Sequence, residues 1–287
     1  MQVTKQSATA RSVLLASLAL AGFAANSLLC RAALRGPAID AWSFTAVRLG
    51  SGALVLGGIA RLRRPTPVSE RQGSWISAAA LVAYASAFSF AYLRLSTGVG
   101  ALALFSSVQA TMIGWSIRCG KRPSALEWCG LALALAGLGY LTLPGASAPD
   151  VRGLALMAVS GAAWGVYSLR GRSSRMPLLA TAGNFARGVP LVLPLALLVW
   201  GAFQVSPRGL ALACASGALA SGLGYSLWYA ALPRMSATRA ALVQLVVPVL
   251  AALAGVVLLG EVVSPRLAIS GALILGGIGL ALATPRR

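Results

Sequence analysis

The chain has 287 residues, of which 58% are hydrophobic and 10% charged, and its mean hydropathy is +0.81. One soluble core could not enclose that much apolar surface, so the composition excludes an ordinary soluble domain and indicates an integral membrane protein. The net charge of +19 would suit a nucleic-acid-binding protein, but the positions of the basic residues argue against that function.

Ten apolar runs are long enough to cross a bilayer, which takes roughly 20 residues for about 30 Å of hydrocarbon. They lie near residues 12–32, 40–60, 74–93, 98–117, 124–143, 152–170, 178–202, 209–231, 237–259 and 265–284. Because an open strand edge in lipid would leave backbone groups unpaired, all ten are predicted to be helices. The sequence therefore predicts an all-α integral membrane protein with ten transmembrane helices.

The basic residues lie mainly in alternate loops, so the charge is a topology signal. Sixteen lie on one side of the predicted bundle and six on the other. By the positive-inside rule the richer side is cytoplasmic, which places both termini in the cytoplasm of a bacterial-type inner membrane. We therefore expect a lipid bilayer, and no nucleic acid, as the partner of this charge.

The second half of the chain repeats the first. An ungapped shift of 140 residues pairs loop and glycine positions, namely Arg94 with Arg234, Ser96 with Ser236, Gly120 with Gly260, Ser124 with Ser264 and Gly137 with Gly277. Residues 1–143 and 144–287 would then be repeats of five helices each, and an odd number inverts the second repeat in the membrane. Inverted repeats commonly build secondary transporters, with a central cavity between the halves and alternating access across it.

The first predicted helix resembles a signal peptide, because the basic residues Lys5 and Arg11 precede an apolar stretch. Residues Phe23–Leu28 (FAANSL) correspond, however, to Trp164–Leu169 (WGVYSL) in the second half. Removing the first helix would leave two unequal halves. We therefore expect it to be retained.

Three segments resemble the EamA family of the drug/metabolite transporter superfamily. The block from Ala240 to Leu282 is similar to the closing helix pair of an EamA repeat, with small residues, Pro248, then Leu259-Gly260-Glu261 and a glycine-rich helix. Arg48 in AVRLGSGAL resembles the arginine of the EamA second helix, and Ala163–Ser168 (AWGVYS) resembles an EamA repeat opening. The resemblance implies a transporter built from two such repeats.

The first half departs from the EamA pattern in its fourth helix. Val108 and Gln109 stand where a proline is expected, and Lys121 replaces the glutamate. Length, aromatic placement and the lack of buried acids are most similar to the YddG-type exporters within the superfamily. That resemblance implies export of aromatic and other apolar amino acids.

Aromatic residues recur at helical spacing within three predicted helices: Tyr84 and Phe88 on the third, Trp164 and Tyr167 on the sixth, and Tyr225 and Trp228 on the eighth. Spacings of three and four put each pair on one helix face. Such rings would line a pocket for an apolar side chain, although packing between helices is an equally good interpretation. The small residues from Ala220 to Gly224 predict close helix packing.

Polar residues inside helices are the candidate anchors for a substrate's charged groups. For Gln109 and Gln244 we favour substrate contact, and for Ser27, Ser168 and Asn184 bonds across helices, while Asn26 could do either. Arg48 and Arg187, which pair with each other in the repeat, lie about two turns inside their helices, where an unpaired cation is costly. A carboxylate substrate, backbone carbonyls or snorkelling would each relieve that cost, and a shared folding role also fits.

Several absences bear on mechanism. The chain has no histidine, and its five acidic residues lie at span ends or in loops, whereas proton relays in membranes use buried Asp, Glu or His. We therefore hypothesise uncoupled export driven by the substrate's own gradient, with sodium coupling through carbonyls left open. No nucleotide-binding, metal-binding or nucleophile motif is visible, which predicts no cofactor, no metal and no enzymatic activity.

The expected partner is a small-molecule substrate, an amino acid, and the expected assembly is a monomer. Export of other metabolites or of cationic drugs is an alternative. So is a channel or scaffold without a transport cycle, whereas an intramembrane enzyme is disfavoured because it would need a buried nucleophile, base or metal constellation.

Overall fold

The computed structural model describes residues 2–62, 73–120, 124–143, 148–171, 174, 176–197, 204–231 and 243–282, and these are almost entirely helical. The helices are α1 (Gln2–Leu34), α2 (Ala41–Leu62), α3 (Trp75–Tyr92), α4 (Thr97–Arg118), α5 (Ala125–Thr142), α6 (Val151–Gly171), α7 (Pro177–Leu197), α8 (Pro207–Ala215), a π-helix (Ser216–Leu223), α9 (Gly224–Ala231), α10 (Val246–Leu259) and α11 (Pro265–Leu282). In the described residues these helices form ten rods, because α8, the π-helix and α9 are continuous and together make the eighth rod.

The rods lie where the sequence predicts helices, but they differ in length and apolarity. Six stretches of the described chain are long and apolar enough to cross a membrane: Val13–Leu34, Ala41–Leu62, Trp75–Tyr92, Thr97–Arg118, Pro177–Leu195 and Pro207–Trp228. Ala125–Leu141, Val246–Leu259 and Pro265–Ala281 are shorter apolar helices. Helix α6 belongs to neither group, since Arg152 and Arg170 bound a stretch of small residues there. The ends of the seventh and ninth predicted runs lie outside the described residues.

Serine side chains begin several helices. Ser74 accepts a hydrogen bond from the Ser77 amide, and Ser124 forms a reciprocal capping box with Glu127. Such caps satisfy amides of the first turn, which have no partner within the helix.

Two helices end on a matched pair of glycines. Gly120 follows α4 with φ +82°, and Gly260 follows α10 with φ +66°. This left-handed conformation is open to glycine and strained for other residues. Because Gly120 and Gly260 also pair in the 140-residue shift, the sequence repeat has a counterpart in backbone conformation.

Helix contacts have counterparts when each helix is replaced by the corresponding helix of the other half. Helix α2 packs on α7, α4 on α10 and α5 on α11; α3 on α6 is matched by α1 on α9, and α4 on α6 by α1 on α10. At the α5–α11 contact the backbones of Gly130 and Gly277 approach so closely that a methyl group on either would overlap the other helix. Small residues permit such close helix contact in membranes. Inversion of the halves, and the boundary between residues 143 and 144, stay predictions.

Polar contacts join the loops at the end of the bundle where α2 begins. Glu261 accepts a hydrogen bond from the Thr97 amide at 2.8 Å, and its other oxygen lies 3.4 Å from Arg31 Nε. The Asp40 amide donates to the Gln204 carbonyl at 2.9 Å. We call the Arg31, Thr97 and Glu261 contacts the loop clasp. The clasp holds α1, α4 and the turn between α10 and α11 together.

Candidate substrate site

A cavity lies between α1, α3, α4, α6 and the eighth rod, with about 400 Å³ of empty space, open solvent at its mouth included. Its lining residues are Phe23, Asn26, Ser27, Tyr84, Phe88, Leu104, Phe105, Trp164, Ala220, Ser221, Tyr225 and Gln244. They come from both halves of the chain, and none is charged. An apolar wall with a few polar groups is typical of small-molecule sites.

Aromatic rings form much of the cavity wall. The Trp164 ring centroid lies 4.8 Å from that of Tyr84 and 5.1 Å from that of Tyr225. Phe23 meets Tyr225 edge-on at 5.8 Å, and Phe88 lies 5.5 Å from Tyr84. Rings arranged in this way offer apolar faces, and the tyrosines add hydroxyl groups at their edges.

One edge of the cavity carries a chain of hydrogen bonds. Arg48 donates from Nη2 to the Tyr84 hydroxyl at 2.9 Å and from Nε to Ser221 Oγ at 3.3 Å. Asn26 Nδ2 donates to the same Tyr84 hydroxyl at 3.4 Å, and Asn26 Oδ1 accepts from Ser216 at 2.6 Å. The Tyr84 oxygen therefore accepts twice, which leaves its own proton for a third partner.

Arg48 lies behind this edge and is only 1% exposed. Its guanidinium carbon is 5.2 Å from the Tyr84 ring centroid and 5.0 Å from that of Phe88. In the described part of the chain, Nη1 has no hydrogen-bond partner and neither of the two ion pairs involves Arg48. Hydroxyls and ring faces therefore surround a charge that no carboxylate of the described residues neutralises, which is costly in an apolar interior. Snorkelling, considered for Arg48 above, is wrong because the side chain stays buried.

The π-helix explains why two serines reach the same network. Hydrogen bonds from residue i to i+5 stack residues five positions apart, as the Gly224 amide shows by reaching the Leu219 carbonyl. Ser216 and Ser221 are five positions apart and so face the same way. In an α-helix they would point about 140° apart. Single π turns occur frequently at functional sites.

The structure brings together five of the ten predicted site residues as cavity lining: Tyr84, Phe88, Trp164, Tyr225 and Gln244. Arg48, a sixth, bonds to the lining from behind. Helical spacing identified the rings, and the position of Gln244 within an apolar run identified the amide. Whether these side chains bind substrate stays a prediction.

Three further predicted residues lie outside the lining. Gln109 is buried on α4. Tyr167 stacks on Trp164 at 5.4 Å, and Trp228 packs against Phe23 at 5.8 Å. Both share helix faces with lining rings, as their spacing predicted, but Tyr167 is buried and Trp228 half-buried outside the lining.

Arg187, the last predicted residue, lies apart from the cavity lining. It is half-buried on α7, and its Nη1 donates to the Gly183 carbonyl of the same helix at 3.0 Å. Its guanidinium carbon lies 6.0 Å from the Trp75 ring centroid, at the first residue of α3. In the structure Arg187 and Arg48 therefore do not form one site.

Sequence reasoning missed much of the apolar lining and two of the five residues of the polar network, Ser216 and Ser221. Phe23 and Phe105 stand alone in apolar helices, with no spacing signal to single them out. Ser216 and Ser221 lie in a run of small residues that suggested packing only. Asn26 was considered for bonds across helices, and it does make them. In the described residues no group of His, Cys, Asp or Glu side chains could hold a metal ion.

Comparison with known proteins gives the family. The sequence profile of the EamA-like transporter family matches residues 151–283. A Pseudomonas aeruginosa protein, PA1977, is 52% identical over 273 residues, which are 95% of each chain. This chain belongs to the EamA-like transporter family. The EamA resemblance is thus confirmed, and the chain is a multi-pass membrane protein of a transporter family.

Two further relatives are transporters by name. The transporter YwfM of Bacillus subtilis is 27% identical over 85% of this chain and 87% of its own. The threonine/homoserine exporter RhtA of Escherichia coli K12 is 32% identical over 65% of this chain and 60% of its own. A crystal structure of a protein with 22% identity superposes with a TM-score of 0.65 over 94% of this chain and 96% of that one, which shows a shared fold. None of these findings shows the aromatic specificity that the YddG-type resemblance implied.

Proposed function

We propose that this EamA-like transporter exports amino acids with aromatic or other apolar side chains through the cavity. The observation that carries the proposal is the cavity's division into a ring-lined wall and a polar edge built on Arg48 and Tyr84. An amino acid has the same division, since an apolar side chain adjoins a charged backbone group. The name of the relative RhtA supports the amino-acid class, and the aromatic wall supports apolar members of it.

Alternating access between inverted halves is the proposed mechanism. It is supported by the helix contacts that exchange the halves and by the shared glycine conformation of Gly120 and Gly260. The positive-inside rule makes the end with the loop clasp extracytoplasmic. Release of substrate to that side would then require the Arg31–Glu261 and Thr97–Glu261 contacts to separate.

Uncoupled transport is part of the proposal. Glu261 is the acidic residue in the loop clasp, and neither it nor any other carboxylate of the described residues lines the cavity. A proton relay would need a titratable group that meets the substrate path. Cationic drugs fit the cavity less well than amino acids do, because the charge of Arg48 lies directly behind its wall and would repel them.

RhtA-like export of small polar amino acids is the second candidate. It is favoured by the polar side chains of Asn26, Ser27, Ser221 and Gln244 in the lining. The two candidates differ in which contacts the side chain would use. Rings matter for phenylalanine, whereas threonine would use the polar groups.

The test is counterflow of labelled amino acids into liposomes containing the purified protein, without a pH or sodium gradient. We expect saturable counterflow of phenylalanine. Trp164→Ala should slow it about two- to tenfold relative to threonine, the effect of losing one aromatic contact. Trp128→Ala is the matched control, since Trp128 is 52% exposed on α5. No counterflow of any amino acid would refute the function, and an equal loss for both substrates would assign Trp164 to packing.

A further inference from the structure

We propose that the cavity is a carboxylate site in which the Tyr84 hydroxyl, held by Arg48, binds the substrate's carboxylate and the amino group is not required. This inference rests on the proposed function for its ligand class. It extends that function, because organic acids with an apolar or aromatic group and no amino group would also bind. Tyr84 would contact the ligand, and Arg48 would act as a positioning residue and as a source of positive potential.

The first step is the direction of the Tyr84 proton. Arginine can only donate, so the 2.9 Å contact from Arg48 Nη2 makes the Tyr84 oxygen an acceptor. Asn26 Nδ2 approaches the same oxygen, again as a donor. A phenol with both acceptor positions used must send its proton to an acceptor of its own. In the described structure no protein acceptor meets it, and Tyr84 lines the cavity.

The second step is the charge behind the hydroxyl. Arg48 is buried, its Nη1 has no hydrogen-bond partner among the described residues, and its bonded partners Tyr84 and Ser221 are neutral. A cation in such surroundings creates a positive potential that water does not screen. It also polarises the Tyr84 hydroxyl, which strengthens a hydrogen bond that this group donates. Both effects favour an anionic acceptor over a neutral one.

The third step concerns the substrate's ammonium group. Among the described residues the lining contains no Asp or Glu, so none of its side chains offers an ammonium group an ion pair. The amide of Gln244 and the ring faces of Trp164 and Tyr225 are the neutral alternatives, and neutral groups discriminate less than a charged partner does. The cavity therefore recognises the carboxylate of the substrate more strongly than its ammonium group. The carboxylate is read by a charge-assisted donor, and the ammonium group is merely accommodated.

The experiment compares four ligands that share a phenyl ring: phenylalanine, 3-phenylpropanoate, phenylalaninamide and phenethylamine. Binding to the purified full chain is measured by isothermal titration calorimetry, and counterflow is measured in liposomes. We expect the two carboxylates to bind and the amide and the amine to bind about tenfold or more weakly, as for loss of a hydrogen bond to a charged group. Equal or tighter binding of the amide or the amine would overturn the proposal.

Tyr84→Phe tests the residue assignment, because it keeps the ring and removes only the hydroxyl. We expect it to reduce the affinity ratio of 3-phenylpropanoate to phenethylamine about tenfold. Tyr92→Phe is the matched control on the same helix, since the Tyr92 hydroxyl donates to the Thr97 carbonyl at 3.3 Å and lies outside the lining. An unchanged ratio in folded Tyr84→Phe protein would overturn the assignment.

The two assays separate this inference from the proposed function. Carboxylate-selective binding without counterflow would support the carboxylate site and refute the transport proposal. Counterflow of phenylalanine together with equal binding of phenylalaninamide would support the transport proposal and refute the carboxylate site.

Discussion

Arg48 and Arg187 occupy matched positions of the repeat, yet their surroundings differ. Arg48 is 1% exposed and its hydrogen bonds leave its own helix for Tyr84 and Ser221. Arg187 is half-buried, and the contacts described above join it to the Gly183 carbonyl of its own helix and to the Trp75 ring. The repeat therefore determines where along its helix a side chain lies, whereas the neighbouring helices determine its burial and its hydrogen-bond partners.

The difference arises from the helix that each arginine meets. In the sequence repeat, α3 corresponds to the eighth rod. Helix α2, which carries Arg48, packs against the eighth rod, and α7, which carries Arg187, packs against α3. The eighth rod contains the π-helix, which directs Ser221 at Arg48, but α3 is a regular α-helix. A π-helix in only one of the two halves would thus be enough to give the paired arginines Arg48 and Arg187 different hydrogen-bond partners. The predictions below test that inequality.

The largest effect is expected where the π-helix contacts α2. A methyl group on Gly217 would overlap Ser51 Oγ and the Arg48 carbonyl oxygen, so Gly217→Ala must push the two helices apart. Overpacking of this kind costs about 1–3 kcal/mol. We expect a clearly lower melting temperature in detergent and little phenylalanine counterflow. Gly188→Ala, beside Arg187, is the matched control, because its methyl would meet Val82 at 3.4 Å and Leu49 at 3.7 Å, which are ordinary contacts. Equal melting temperatures for the two variants would show that the contact is not tight.

The next effect separates the two arginines themselves. Arg48→Met should weaken 3-phenylpropanoate binding about ten- to a hundredfold, because it removes both the charge and the donor to Tyr84. It should also raise the melting temperature, since an uncompensated buried cation costs at least a few kcal/mol. Arg187→Met should leave binding unchanged. A fall in the melting temperature of Arg48→Met would show that the Arg48 charge is well compensated, and the two arginines would then differ less than the structure indicates.

Much of the fold could be predicted because each helix carries its own signals. Apolar runs predicted the rods, and the run predicted at 124–143 begins at Ser124, which the structure shows in a capping box with Glu127. The π-helix carries no such signal. Its residues, SGALASGL, are small and suit either helix type, so contacts with α1 and α2 decide the backbone there. Those contacts are tertiary and leave no periodic pattern in the sequence.

The candidate site was predictable only in part, for a related reason. Spacing by three or four residues puts Trp164 and Tyr167 on one face of α6, and Tyr225 and Trp228 on one face of the eighth rod. Of each pair, one ring lines the cavity and the other does not: Tyr167 accepts a hydrogen bond from Asn184 Nδ2, and Trp228 packs against Phe23. Only part of one helix face borders the cavity. Spacing therefore cannot tell which part of the face a neighbouring helix covers.

The smallest effect is expected at Trp75, and it tests Arg187 from the other side. Trp75 is 59% exposed, and its ring lies 6.0 Å from the Arg187 guanidinium carbon. An exposed contact between a cation and a ring contributes about 0.5–1 kcal/mol. Trp75→Leu should therefore lower the melting temperature slightly and leave phenylalanine counterflow within about twofold of the wild type, as a change of that size away from the site allows. Trp128→Leu, at an exposed tryptophan on α5, controls for loss of an indole in general. If Trp75→Leu abolished counterflow while Trp128→Leu did not, Arg187 would belong to the transport cycle, because no ring of the cavity lining lies against Trp75 in the described contacts. The two arginines would then act in different steps of one function, and not as one site residue and one structural residue.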